Sequence, residues 1–186
     1  MSVLGIDTSS RSRMVCVIAS REGELIDSEV VRGQPVATSL PRALGRLLTR
    51  TGGAVVVVTG PGTYTGVRAG MAAALGIAHA RGLPLHGIGS LEVVARGDPD
   101  SGAGDWIVAD AGREALYVAH AADAASASRL LMADFDAGGA RVLSSDILEI
   151  AGLVAVDPAL ALARAVPLAL SRPALDRAGL SALYVD

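Results

Sequence analysis

Apolar runs in the first half of the chain alternate between two periods. Residues 3–6 are Val-Leu-Gly-Ile and end at Asp7. Residues 14–19 (Met-Val-Cys-Val-Ile-Ala) and 25–31 are two further runs, with small polar residues at 8–12 and Arg21-Glu22-Gly23 between them. Short runs rich in β-branched residues and bounded by turn residues read as strands, so three antiparallel strands open the chain. The period then changes. Leu40, Leu44, Leu47 and Leu48 follow helical spacing, with Arg42, Arg46 and Arg50 on the other side. Thr38 or Ser39 is expected to cap this helix, and Gly52-Gly53 to stop it. Residues 55–58 are four consecutive valines, the pattern of a strand covered on both faces and parallel to a neighbour. A glycine-rich loop at 60–66, an Ala-rich helix at 67–80, a strand at 85–88 and a short helix at 90–95 follow.

Residues 97–104 form a Pro/Gly/Asp-rich break and divide the chain into segments 1–97 and 105–186. Past the break an apolar run again ends at an aspartate, Asp110, followed by a turn with Arg113 and a second apolar run through Val118. This repeats Asp7, the turn with Arg11 and Arg13, and the run through Val15, a weak internal duplication. Further on, 130–132 and 140–143 read as strands, 145–150 (capped by Ser145) and 158–165 as helices, and 180–185 as the closing segment.

Composition narrows the chemistry. The 186 residues carry a net charge of -3, weak for a protein that grips a polyanion by itself. Every basic residue is Arg, so P-loop lysine, Schiff-base and Ser-Lys chemistry are excluded. The few aromatics are scattered, which argues against a base-stacking platform. One cysteine, Cys16, lies inside an apolar run and reads as a buried hydrophobe. No leader pattern opens the chain and no run reaches membrane-spanning length. A cytoplasmic protein without membrane contact is the expectation.

Two segments offer ligand chemistry. Asp7-Thr8-Ser9-Ser10 lies at the tip of the first strand, where a carboxylate and hydroxyls can hold phosphate oxygens, or serve the turn itself. Gly60, Gly62, Thr63 and Thr65 lie in Gly60-Pro-Gly-Thr-Tyr-Thr-Gly66, between a buried strand and a helix, where open α/β sheets bind ligands. The loop lacks the G-x-G-x-x-G spacing and the lysine of a Walker A motif. In the helix after it, Gly66, Gly70, Ala74 and Ala78 share one face, which either admits a partner helix closely or packs on the chain's own sheet. His79, His86 and His120 make no i, i+4 pair, and no metal site or catalytic residue is expected.

Together these segments resemble the TsaB (YeaZ) family. Its opening I-D-T-S/T is Ile6-Asp7-Thr8-Ser9, and its G-P-G-S-F-T-G-[LV]-R-x-G signature is matched from Gly60 to Gly70 with Thr63 for Ser and Tyr64 for Phe. Gly87-Ile-Gly-Ser-Leu91 follows the family's next strand, and Asp110 to Tyr117 its D-A-R-R-x-E-V-Y, with Gly112 and Ala115 replacing Arg and Glu. Leu183-Tyr184-Val185 resembles the family's tail, and Pro35 stands where members often carry His. The resemblance implies an α/β actin-like ATPase (ASKHA) fold of two RNase H-like halves. It also implies a non-catalytic role: pairing with a TsaD-like subunit, beside a TsaE-like ATPase, in transfer of threonylcarbamoyl to adenosine 37 of tRNA. On it, the partner surface falls on Leu44, Leu47, Leu48, Gly66, Gly70, Ala74 and Ala78; tRNA is reached only through the complex; ATP or ADP belongs to the complex; and the chain alone can form a homodimer. The alternative is a small actin-like ATPase or phosphotransferase using Asp7 and loop 60–66.

Overall fold

The computed structural model describes residues 1–175, 181 and 182. Its first half holds β1 (Val3–Asp7), β2 (Arg13–Ala19), β3 (Leu25–Arg32), α1 (Val36–Leu47), β4 (Ala54–Val58), α2 (Tyr64–Arg81), β5 (Leu85–Ile88) and α3 (Ser90–Gly97). The second holds β6 (Trp106–Gly112), β7 (Ala115–His120), β8 (Ser128–Leu131), β9 (Val142–Ser144), β10 (Leu153–Ala155) and α4 (Pro158–Leu170). The strand orders are β3-β2-β1-β4-β5 and β8-β7-β6-β9-β10. In each sheet the first three strands in sequence pair antiparallel, and the last two join parallel on the other side of the first. Two copies of one mixed five-stranded topology make this an α/β actin-like fold, and the faint duplication in sequence is a real one. Asp7 ends β1 opposite Val15, whereas Asp110 lies opposite Leu116, so the second turn is the tighter of the two.

Both faces of the first sheet are covered, which is why β1, β2 and β4 are buried at every position. One face, with Leu4, Ile6, Cys16, Val55 and Val57, lies under α1 and α2. The other, with Val3, Val15, Val17 and Val56, meets α3 and α4. Helix α4 comes from the second half yet lies on the first sheet. A methyl group added at Gly5 would come within 3.1 Å of Leu162 Cγ. The second sheet has no α-helix between β8 and β9 or between β9 and β10, only a 3-10 turn at Met132–Asp134. Loop residues close that face, with Phe135 edge-on to Trp106 at 5.6 Å between ring centroids.

Several sequence expectations shift. Helix α1 starts at Val36, and the Thr38 and Ser39 hydroxyls donate back to the Pro35 carbonyl instead of capping. Helix α2 starts at Tyr64, ahead of the predicted 67. Residues 145–150 are irregular, not helical, because Ser145 and Asp146 are held by side chains of the first half. Strand β10 carries no alternation strong enough to be read from three residues. Residues 180 and 183–185, assigned to a closing segment and tail, lie outside the described residues.

Candidate functional site

Loop 60–66 is seated on the turn that follows β1. The Thr63 N–H donates to the Ser9 carbonyl at 2.8 Å, and the Thr8 hydroxyl donates to the Gly66 carbonyl at 2.7 Å. The far side is anchored by Ser90, whose hydroxyl donates to the Pro61 carbonyl and whose N–H donates to the Gly60 carbonyl. Gly60 has φ +107° and precedes a cis Gly60–Pro61 bond. The other glycines are required by closeness. An added Cβ would lie 2.5 Å from the Ser9 carbonyl oxygen at Gly62 and 2.2 Å from that of Thr8 at Gly66. The predicted ligand contacts Asp7, Thr8, Ser9, Gly60, Gly62 and Thr63 are therefore brought together, but they engage one another. Thr65 is exposed on the first turn of α2.

Below the loop, Asp7 accepts from the Ser9 N–H at 2.9 Å and the Ser9 hydroxyl at 2.6 Å. Its other oxygen meets Arg13 Nη1 at 2.8 Å. Arg13 is the first residue of β2 and is buried, with 7% of its surface exposed. Its guanidinium spans the two halves. It reaches the Ser145 carbonyl at 3.3 Å, the Ser145 hydroxyl, and Asp146 Oδ1 at 3.5 Å. Asp146 in turn accepts from the Ser10 hydroxyl at 2.7 Å and from the Asp110 N–H at 3.0 Å. Burial alone would raise the Asp7 carboxyl; the guanidinium and the Ser9 bonds override it and hold it below its ordinary value. Burial likewise opposes the Arg13 charge, and Asp7 and Asp146 more than restore it. Above this pair, the Arg11 guanidinium lies over Gly112, where an added Cβ would be 2.4 Å from it. Gly112 stands where the resemblance expects an arginine, so an arginine from the opposite half fills that space.

The hollow left among Ser9, Arg13, Gly62, Ser90, Asp110 and Asp146 has a volume of about 10 Å³. That is room for about one water molecule and far below the several hundred Å³ of a small-molecule site. A larger hollow of about 420 Å³ lies between α3 and the 121–125 turn. Its one buried charge, Glu92, is bound by Arg172 and by the Gly89 N–H. Among the described residues no group of His, Cys, Asp and Glu is placed to hold a metal ion. His86 meets the Arg172 carbonyl and His120 stacks on Trp106. Cys16 is buried, and burial pushes its thiol up to about 12, leaving it unreactive as read from the sequence.

The small-residue stripe of α2 faces inward. Gly66, Gly70, Ala74 and Ala78 are all buried against the chain's own sheet, and a Cβ at Gly70 would lie 2.2 Å from Thr8 Oγ1. Leu44 and Leu47 are buried beneath α1, and Leu48 is half-buried beside them. The reading of this stripe and these leucines as a partner surface is corrected: they are core. The outward face of α2 carries Arg68, Ala72, Gly76, His79 and Ala80, with Ala69 and Ala73 at its edge. The sequence pattern marks Ser10 beside Asp7 but assigns no site role to Arg13, Ser145 or Asp146. Their one signal is an arginine heading the apolar run that pairs with the strand of Asp7, two residues ahead of Val15, the cross-strand neighbour of Asp7.

The family model described as TsaD: tRNA N6-adenosine threonylcarbamoyltransferase matches residues 48–136, from the end of α1 past loop 60–66 and α2 to the second half. YeaZ from Pseudomonas aeruginosa superposes with a TM-score of 0.70 at 18% identity, covering 99% of each chain. The fold that the resemblance to the TsaB (YeaZ) family implies is borne out. A second solved structure, an uncharacterized protein with similarity to peptidase YEAZ from Pseudomonas aeruginosa, gives a TM-score of 0.69 at 18% identity over 100% of this chain and 99% of that one. Uncharacterized proteins of Mycobacterium tuberculosis and Mycobacterium leprae are 44% identical over 71 residues, 38% of this chain. The match spans 32% of the first relative's length and 19% of the second's. Among the described residues no helix is long and apolar enough to cross a membrane.

Proposed function

We propose that this TsaB-like chain is a non-catalytic subunit of the machinery that places threonylcarbamoyl on adenosine 37 of tRNA, acting by pairing with a TsaD-like transferase. The observation that carries this reading is the transferase-family match over residues 48–136, laid on a chain whose whole length has the YeaZ fold. The filled cleft supports the non-catalytic part. A nucleotide would have to displace an arginine held by carboxylates from both halves and lift a loop whose glycines touch Thr8 and Ser9. ATP or ADP is accordingly handled by other members of the complex, the TsaE-like ATPase among them, and tRNA is met only in the assembled complex. The same geometry disfavours the alternative of an ATPase or phosphotransferase working through Asp7 and loop 60–66.

The pairing surface moves from the buried stripe to the opposite side of α2. Ala72, Gly76 and Ala80 are exposed there, and an added Cβ at Gly76 meets nothing within 4 Å. A helix face of this kind lets another helix approach closely. Gel filtration of the chain with the TsaD-like subunit of its own host tests the pairing. Wild-type protein is expected to co-elute with the transferase, and Ala72→Arg to elute apart while keeping its helical circular dichroism. Co-elution of a folded Ala72→Arg variant would place the interface elsewhere. The wild-type chain run alone reports whether the same face makes a homodimer.

A further inference from the structure

We propose that Arg13 is the permanent occupant of the cleft between the two halves, a fixed internal cation that makes them one rigid body. The chemistry is specific to this position. One guanidinium donates to Asp7 from the first half and to the Ser145 carbonyl and hydroxyl from the second, with Asp146 beside it. Of its two carboxylate neighbours, Asp7 is bonded by Ser9 of its own half, and Asp146 is bonded from both halves, by Ser10 and by the Asp110 N–H. The side chains of Asp7, Arg13 and Asp146 are each only 5% exposed, so water screens none of these contacts. A planar five-donor fork spreads its N–H groups over two edges and can satisfy acceptors on two sides at once. Opening the cleft would part Arg13 from Ser145 and Asp146 and Ser10 from Asp146, while the Asp7–Arg13 pair and the Asp110–Asp146 bond lie within their own halves. This inference concerns the joint alone and stands whether or not the chain pairs with a transferase.

Native-state hydrogen exchange on the full chain in low urea tests it. The amides of Ser9 and Asp110, bonded to the Asp7 and Asp146 carboxylates, are expected to exchange with the same rate and urea dependence as the core amide of Val57. Exchange of these two by a faster, urea-insensitive route in the wild type would overturn the proposal. In Arg13→Ala the Ser9 and Asp110 amides should exchange on the order of a hundredfold faster than Val57. Millimolar methylguanidinium should return them to the rate of Val57. Should Arg13→Ala not fold, Arg13→Lys keeps a cation on Asp7 and lacks the reach to Ser145, and it is expected to show the same separation. Variant amides that still exchange with Val57, or a separation that methylguanidinium leaves unchanged, would show that Arg13 does not close the joint.

Discussion

Gly70 and Gly76 lie on one helix and differ only in what a methyl group would meet. At Gly70 it would lie 2.2 Å from Thr8 Oγ1, whose hydroxyl is tied to Gly66; at Gly76 it would meet open space. Gly70→Ala is therefore expected to lower stability by about 1–3 kcal/mol through overpacking. Gly76→Ala should raise it by up to about 1 kcal/mol through helix propensity. Urea unfolding of the two variants reads both, and shifts of the same sign would contradict the inward placement of the stripe. Asp7 yields a pH prediction. Its folded value lies below its ordinary 3.8, so its contribution to stability is complete above the unfolded value and is lost as pH falls through the lower, folded one. Asp7→Asn is expected to be less stable at neutral pH and to show a flatter loss of stability below about pH 4. A wild-type slope in that window would mean that the Asp7–Arg13 pair does not govern acid stability. Asp7 and the loop glycines were legible as a site because strand-end carboxylates and Gly-rich turns have local signatures. Arg13 and Asp146 were not, because their meaning lies in a contact between residues far apart in the chain.

Helix α2 shows how far local pattern reaches. Its existence follows from an Ala-rich run between two strands, and the structure places it at Tyr64–Arg81. Its orientation does not follow, because small residues line both sides: Gly66, Gly70, Ala74 and Ala78 inward, Ala72, Gly76 and Ala80 outward. With so little contrast in side-chain size, only the position of β1 decides which side is core. Two substitutions two residues apart separate the faces. Ala74→Glu places a carboxylate in a fully buried position and should cost several kcal/mol, abolishing the cooperative thermal transition. Ala72→Arg, on the exposed face, should leave the melting temperature close to wild type. A folded Ala74→Glu variant would mean that the inward face is not packed as described. Segment 145–150 failed for the converse reason. Its spacing suits a helix, yet bonds from Arg13 and Ser10 to Ser145 and Asp146 hold it irregular, so tertiary contact overrides propensity.

At the scale of the molecule, the two halves share a topology and differ in what covers it. The first sheet keeps α1 and α2 on its outer face; the second has loops there, and its terminal helix α4 lies on the first sheet beside α3. The joint is filled by Arg13, and the longest described helix, α2, presents its outward face from the first half. On the proposed role, such a molecule presents a surface and does not turn over a ligand. That role is tested most directly by mass spectrometry of tRNA nucleosides from the host after depletion of this chain. Threonylcarbamoyladenosine is expected to fall on depletion, to return with the wild-type chain, and to stay low with Ala72→Arg produced at the same level. Unchanged threonylcarbamoyladenosine after depletion would contradict the account.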